Sequence, residues 1–238
     1  MKIEGKNAVS ELLKSGKDVD VLLVEKGTEH PIIAMARERG VKIQFVDRYI
    51  LDKESMTGKH QGFIARVSGF EYCGLEDIIE EAEARNEKPF IVVLDGIEDP
   101  HNLGSILRVC ECGGVHGVVI GKNRAAAVTE TVIRVSAGAA EHMKVARVTN
   151  INSAVQWFQQ NKIWVYGADM KGESVYKTDL TGAVALVIGG EGKGLGKLTG
   201  KLCDGTVSLP IRGKVNSLNA SVACGVLVYE ALRQRMGL

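Results

Sequence analysis

The sequence has no apolar run approaching the length of a membrane span, so a helical membrane segment is excluded. Its first residues, Met-Lys-Ile-Glu-Gly-Lys-Asn, lack the apolar core of a signal peptide, and a cytoplasmic protein is expected. The five cysteines (Cys73, Cys110, Cys112, Cys203, Cys224) form no Cys-x-x-Cys pair. Cys110 and Cys112 fall two apart in a predicted helix and point in different directions, so buried thiols are expected rather than a metal site or a disulfide. The five histidines lack metal-ligand spacing, and no metal is expected. Charge of one sign is lacking too. A net charge of +1 does not by itself announce a nucleic-acid binder.

What is present is an ordinary globular composition, 45% hydrophobic and 25% charged, over 238 residues, enough for one large or two modest domains. The acid is concentrated. Residues 69–90 carry 7 acidic against 2 basic side chains, whereas 1–68 and 91–238 are each mildly basic. That distribution is compatible with RNA.

Residues 1–68 read as a small α/β unit. Helices are predicted over Asn7–Ser15, Pro31–Arg39 and Arg48–Glu54, and strands over Asp20–Glu25, Val41–Val46 and Gly62–Val67. Residues 69–89 read as an acidic, solvated bridging helix and mark the domain boundary. From 90 to 238 the alternation is regular. Strands are predicted over Phe90–Leu94, Gly117–Ile120, Lys144–Val148, Lys162–Tyr166 and Val184–Ile188. Helices are predicted over Asn102–Cys112, Val128–Ala140, Ile151–Asn161 and Ser217–Arg235. Strands separated by helices imply a mostly parallel sheet covered on both faces, with ligands bound beyond the carboxyl ends of its strands.

Three loops lie at such ends. The first, Asp95 to Arg108, holds Asn102 at a helix start and places Ser105, Arg108 and Cys112 on a face away from the buried stripe. An arginine there suits either phosphate or a surface ion pair. The second is Gly189-Gly190-Glu191-Gly192-Lys193-Gly194-Leu195-Gly196, dense enough in glycine for backbone to approach a ligand closely. It is not a P-loop, because Gly196-Lys197 is followed by Leu198 and the position five before Gly196 is Glu191. That carboxylate would repel phosphate, which weakens a dinucleotide reading, and it suits a cationic or hydroxyl-bearing ligand better. The third, Leu209 to Ala223, crowds Arg212, Lys214, Asn216, Ser217 and Asn219 between a strand end and a helix. Alone it reads as a helix cap. With the other two it reads as one wall of a composite site. A dinucleotide site is disfavoured, since Gly-x-Gly-x-x-Gly does not follow the first strand of this region.

These residues carry a resemblance. The stretches Asp99-Pro100-His101-Asn102-Leu103-Gly104-Ser105-Ile106-Leu107-Arg108, Ile188-Gly189-Gly190-Glu191-Gly192-Lys193-Gly194-Leu195 and Leu209 to Ser221 resemble the three motifs of the SpoU (TrmH-type) RNA ribose 2′-O-methyltransferases of the SPOUT superfamily, in family order and spacing. More weakly, Gly5-Lys6-Asn7-Ala8-Val9 and His60-Gln61-Gly62 resemble the family's N-terminal substrate-binding domain, itself similar to an RNA-binding ribosomal protein fold. The resemblance implies a C-terminal α/β domain with a parallel sheet and a deep trefoil knot, S-adenosylmethionine held in the knotted loops, and a homodimer. It implies cofactor contacts at Ile188, Gly189, Gly194, Leu209 and Leu218. Asn102, Arg108, Glu191, Ser217 and Asn219 would be the catalytic or substrate-facing set, with Glu191 orienting Arg108 or Asn102. The expected reaction is methyl transfer to a ribose 2′-OH, of a guanosine in 23S rRNA by closest resemblance. Transfer RNA as target, or a non-catalytic RNA-binding protein, are the alternatives.

Overall fold

The structure is a computed structural model that describes residues 2–17, 19–67, 69–192 and 194–238; the expected boundary residue Ser68 and the motif residue Lys193 lie outside the described residues. The chain divides into two compact units, residues 1–71 and 72–238.

In the first unit, strands β1 (Lys2–Glu4), β2 (Val21–Glu25), β3 (Ile43–Val46) and β4 (Phe63–Arg66) form a sheet in the order β1-β4-β2-β3. It is mixed, with β2 and β3 parallel and the other pairs antiparallel. Period-two alternation along β2 sorts its side chains. Leu22 and Val24 enter one core with Val9 and Leu12 of α1 (Lys6–Lys14) and Ile32 of α2 (Pro31–Glu38), whereas Leu23 packs with Leu51 of α3 (Arg48–Glu54). The polar stretch before β4 is a structural clasp. His60 is buried, receives the Gly62 N–H on Nδ1 at 3.0 Å and meets Asp52 through Nε2 at 2.9 Å. The Gln61 side-chain oxygen accepts the Lys6 N–H at 3.0 Å, tying Gly5-Lys6 to His60-Gln61-Gly62.

The second unit is built on six parallel strands, β5 (Phe90–Asp95), β6 (Gly117–Gly121), β7 (Lys144–Val148), β8 (Trp164–Ser174), β9 (Val184–Gly189) and β10 (Gly205–Ser208), in the order β10-β8-β9-β5-β6-β7. The central strands β5, β9 and β6 are continuous apolar runs, as strands covered on both faces must be. On one face Ile91, Val119 and Val187 pack with Ile78 of α4 (Leu75–Ala84) and with Ala154 and Phe158 of α8 (Ile151–Gln160). Elsewhere α5 (Pro100–Cys112) packs on α6 (Glu130–Val135), α7 (Ala139–His142) and α10 (Ala220–Arg235).

Several expectations need correction. The acidic segment is not a solvated bridge: Ile78 and Ala82 are fully buried and only the outer face of α4 carries its glutamates to solvent. The helix expected over 128–140 is broken into α6 and α7, because Ala137 (φ 52°) and Gly138 (φ 87°) both adopt left-handed backbone that no right-handed helix continues. Strand β8 (Trp164–Ser174) runs well past Tyr166, paired with β10 (Gly205–Ser208) through a register shift at Thr206–Val207. Helix α9 (Lys197–Leu202) was not expected, and β10 was expected only as a strand end at Leu209 without bounds, each being too short to set up a hydrophobic period. Of the cysteines, Cys110 and Cys224 are buried, Cys73 and Cys203 half-buried, and Cys112 is exposed. Burial pushes the Cys73 and Cys203 thiols up to about 11, so neither offers a thiolate near neutral pH.

Candidate functional site

The carboxyl ends of β5 and β9 lie side by side at the middle of the sheet, and backbone ties their loops together. Gly190 N–H donates to the Asp95 carbonyl at 2.9 Å, and Gly196 N–H donates to the Asp95 carboxylate at 2.9 Å. Within the second loop, Gly194 N–H closes onto the Gly190 carbonyl at 2.9 Å. The glycines are needed for this packing. A Cβ on Gly189 would stand 2.2 Å from the Gly194 carbonyl carbon, and one on Gly190 2.2 Å from the Gly96 carbonyl oxygen. The close approach read from sequence is thus made by the protein's own backbone as well as being open to a ligand.

Helix α5 starts under its cap Asp99, whose carboxylate accepts the His101 N–H at 3.0 Å, and this presents Asn102 from the first turn. Helix α10 starts at Ala220 rather than Ser217, because Asn219 is its cap: the Asn219 Oδ1 accepts the Ser221 N–H at 2.9 Å and the Val222 N–H at 3.3 Å. Its amide nitrogen turns the other way. Asn219 Nδ2 donates to Glu191 Oε1 at 2.6 Å and to Asn102 Oδ1 at 3.0 Å, and Asn102 Nδ2 donates to the same Glu191 oxygen at 2.8 Å. One residue from each of the three loops therefore closes a three-membered hydrogen-bond ring. Bonds from neutral amides to an ionised carboxylate are stronger than neutral pairs and fix all three rotamers. Glu191 orients Asn102, and not Arg108.

Beside this ring lies a cavity of about 540 Å³, within the range of small-molecule sites. Gly189, Glu191, Gly194, Leu209, Ser217, Leu218 and Asn219 line it. Ile188 does not, because its side chain is buried in the packing of β9. Asn102, only 7% exposed, lines a second cavity of about 940 Å³ that shares Gly190, Glu191, Gly194 and Leu195 with the first. Arg108 lines neither cavity. It sits about one and two-thirds turns along α5 from Asn102, exposed on the same face as Ser105 and Cys112, and makes no hydrogen bond or ion pair among the described residues. Sequence reasoning missed the second cavity. Its signal was available in the polar turn Lys122-Asn123-Arg124, which follows β6 at the same carboxyl edge of the sheet.

The profile of the SpoU rRNA Methylase family matches residues 89–229, which include all three loops. The chain belongs to the SpoU methylase family. A second profile, RNA 2′-O ribose methyltransferase substrate binding, matches residues 2–73 of this SpoU chain. Among relatives, a Bacillus subtilis protein assigned to the TrmH family of tRNA/rRNA methyltransferases, YacO, is 46% identical over 97% of this chain and 94% of its own length. The 23S rRNA (guanosine-2′-O-)-methyltransferase RlmB of Escherichia coli is 40% identical, with 98% of each chain covered. Among solved structures, the SpoU methyltransferase AviRb of Streptomyces viridochromogenes, in complex with the cofactor AdoMet, aligns with a TM-score of 0.65 and 27% identity over 100% of this chain and 91% of that one. Among the described residues of the SpoU chain, no group of His, Cys, Asp and Glu is placed to hold a metal ion, and no helix is long and apolar enough to cross a membrane.

Proposed function

We propose that this protein transfers a methyl group from S-adenosylmethionine to a ribose 2′-OH of RNA, that of a guanosine in 23S rRNA. The observation that carries the reading is the ring of Asn102, Glu191 and Asn219, drawn from all three family motifs and closed beside a cavity of cofactor size. The cavity suits the cofactor on its own chemistry. Backbone of a glycine loop and the apolar side chains of Leu209 and Leu218 suit an adenosine, and the carboxylate of Glu191 suits a cationic centre. When bound, S-adenosylmethionine supplies an electrophilic methyl on a sulfonium. Gly189, Gly194, Leu209 and Leu218 would hold it, with Ser217 on the same wall.

The protein's part is then positioning and charge. Asn102 and Asn219, locked against Glu191, keep the two nucleic-acid-facing loops in one register. Arg108, exposed and without a partner among the described residues, is free to grip the phosphate next to the target ribose bidentately and to stabilise the alkoxide as its proton leaves through that phosphate or water. We prefer the clamp role over the general-base role proposed in the family, because so strongly basic a guanidinium disfavours a free neutral arginine.

The first unit would bind the RNA. Its match to the substrate-binding profile supports this, as do exposed Phe45 and Tyr49 beside Arg48 and Lys53, a mixture of stacking rings and cations suited to single-stranded RNA. The reading includes the trefoil knot. From β10 at the edge of the sheet the chain returns to meet Asn102 and Glu191 at its centre, as a threaded segment must. Full extension of the second unit to its contour length under mechanical stretching would rule that out. The reading also includes a homodimer.

The deciding experiment incubates unmodified 23S rRNA and a transfer RNA pool with the protein and S-adenosylmethionine, then maps 2′-O-methyl positions. One new methylated guanosine in 23S rRNA is expected. The transfer RNA reading, which the tRNA/rRNA methyltransferase name of the 46% identical relative leaves open, takes over if the mark appears there. Arg108→Ala, run alongside, is expected to bind S-adenosylmethionine as the wild type does and to leave the position unmethylated; near-normal turnover would remove Arg108 from the mechanism.

A further inference from the structure

The second cavity opens at the carboxyl ends of β5, β6 and β7, and Gly190, Glu191, Gly194 and Leu195 line both it and the cofactor-sized cavity. Its polar groups fall into two sets. Three carboxylates are engaged by the protein: Asp95 by Gly196 N–H, Asp99 by His101 N–H, and Glu191 by the two amides. Three charged groups lining it have no partner among the described residues: the cations Arg124 and Lys197 and the carboxylate of Glu98.

Arg124 stands out further because its backbone has φ 51°, the left-handed region that side chains other than glycine rarely adopt and that collects at ligand sites. Packing does not explain it, since the side chain is exposed. A ribonucleotide splayed out of its strand presents an anionic phosphate at one end and a base edge bearing N–H donors at the other. The cavity presents free cations and free acceptors to match, at a volume that admits one nucleotide.

We infer that this cleft seats the target nucleotide of the RNA, with Arg124 as its phosphate anchor and Glu98 facing the base. The inference rests on the methyl-transfer reading, because the ribose would then reach the cofactor-sized cavity where the two adjoin, at Gly190, Glu191, Gly194 and Leu195.

The test uses the full chain with unmodified 23S rRNA as probe. It measures methyl-transfer kinetics, RNA affinity at several salt concentrations, and S-adenosylmethionine affinity by calorimetry. Arg124→Ala is expected to raise the KM for RNA about tenfold or more and to flatten the slope of log K against log salt by about one, with cofactor affinity unchanged. Arg124→Lys should recover the salt slope but only part of the affinity, since it keeps the charge and loses the fork. Arg124→Gly fits the left-handed backbone without strain, so it removes the guanidinium even if the alanine variant folds poorly. An unchanged KM and salt slope in the glycine variant overturns the inference, and so does an equal loss of cofactor affinity. Wild-type protein that methylates no RNA would instead defeat the methyl-transfer reading itself.

Discussion

Asn219 joins two roles that are usually carried by different residues. Its oxygen caps α10 and its nitrogen closes the ring with Glu191 and Asn102. Substitution can separate them. Asn219→Ala loses both and is expected to cost about 1 kcal/mol of stability from the cap and about 100-fold in methyl-transfer rate from the loosened loops. Asn219→Ser keeps an oxygen for the cap, so its thermal midpoint should return most of the way while the rate stays low. Recovery of both together would mean that the ring matters only through the helix. At this scale the sequence was informative about which residues are polar at the strand ends, and the resemblance put Asn102, Glu191 and Asn219 in one set. It did not show that Glu191 is held by two amides rather than by Arg108. Partner choice depends on where α5 turns its successive side chains, and that is fixed by packing against α6 and α10. Nor did glycine density reveal that Gly189 and Gly190 are demanded by Gly194 and Gly96, residues met only through the fold.

Elements with a strong period were legible, and those without one were not. The apolar runs of β5 and β9 and the amphipathic α8 were read close to their observed bounds. β10 and the far half of β8 carry glycine, serine and threonine and exist through each other's pairing. The polar ends of strands can also hold elements together, as at the start of β5. There the buried His116 accepts the Phe90 N–H on Nδ1 at 2.9 Å and reaches Glu87 through Nε2 at 3.0 Å. Only a neutral ring can accept on Nδ1. Burial lowers the His116 pKa below its ordinary 6.5, reinforced by the charges of Arg85 and Arg235 and opposed by Glu87. The unfolded chain therefore binds a proton that the folded chain refuses, and stability must fall as pH drops below about 6.5 through this window. The expected result is a thermal midpoint that declines from pH 7.5 to 5.5 in the wild type and declines less in His116→Asn, which starts from a lower value. Equal slopes in both proteins would assign the acid sensitivity elsewhere.

At the scale of the whole molecule, the clearest unmet demand is the outer side of α10. Its inner side buries Cys224, Leu227, Val228 and Ala231, yet Val222, Val226 and Tyr229 are 51%, 38% and 49% exposed on the outer one. A helix apolar all round is one that expects cover on both sides. Leu218 and Val215, in the segment leading into the same helix, are exposed as well, so the apolar area continues toward the cofactor-sized cavity. A two-fold axis would let this surface meet its own copy, which is how most homodimers bury such a patch. Light scattering should then give twice the 25.6 kDa chain mass for the wild type. Val226→Glu places a charge in the middle of the patch and does not touch the Asn102–Glu191–Asn219 ring. It should run at the single-chain mass with its fold intact, and should lose cofactor affinity to the extent that the partner steadies the 209–219 wall. Wild-type protein running as a single chain at micromolar concentration would leave α10 to some other partner. A monomeric Val226→Glu that binds cofactor normally would show that each cavity is complete within one chain.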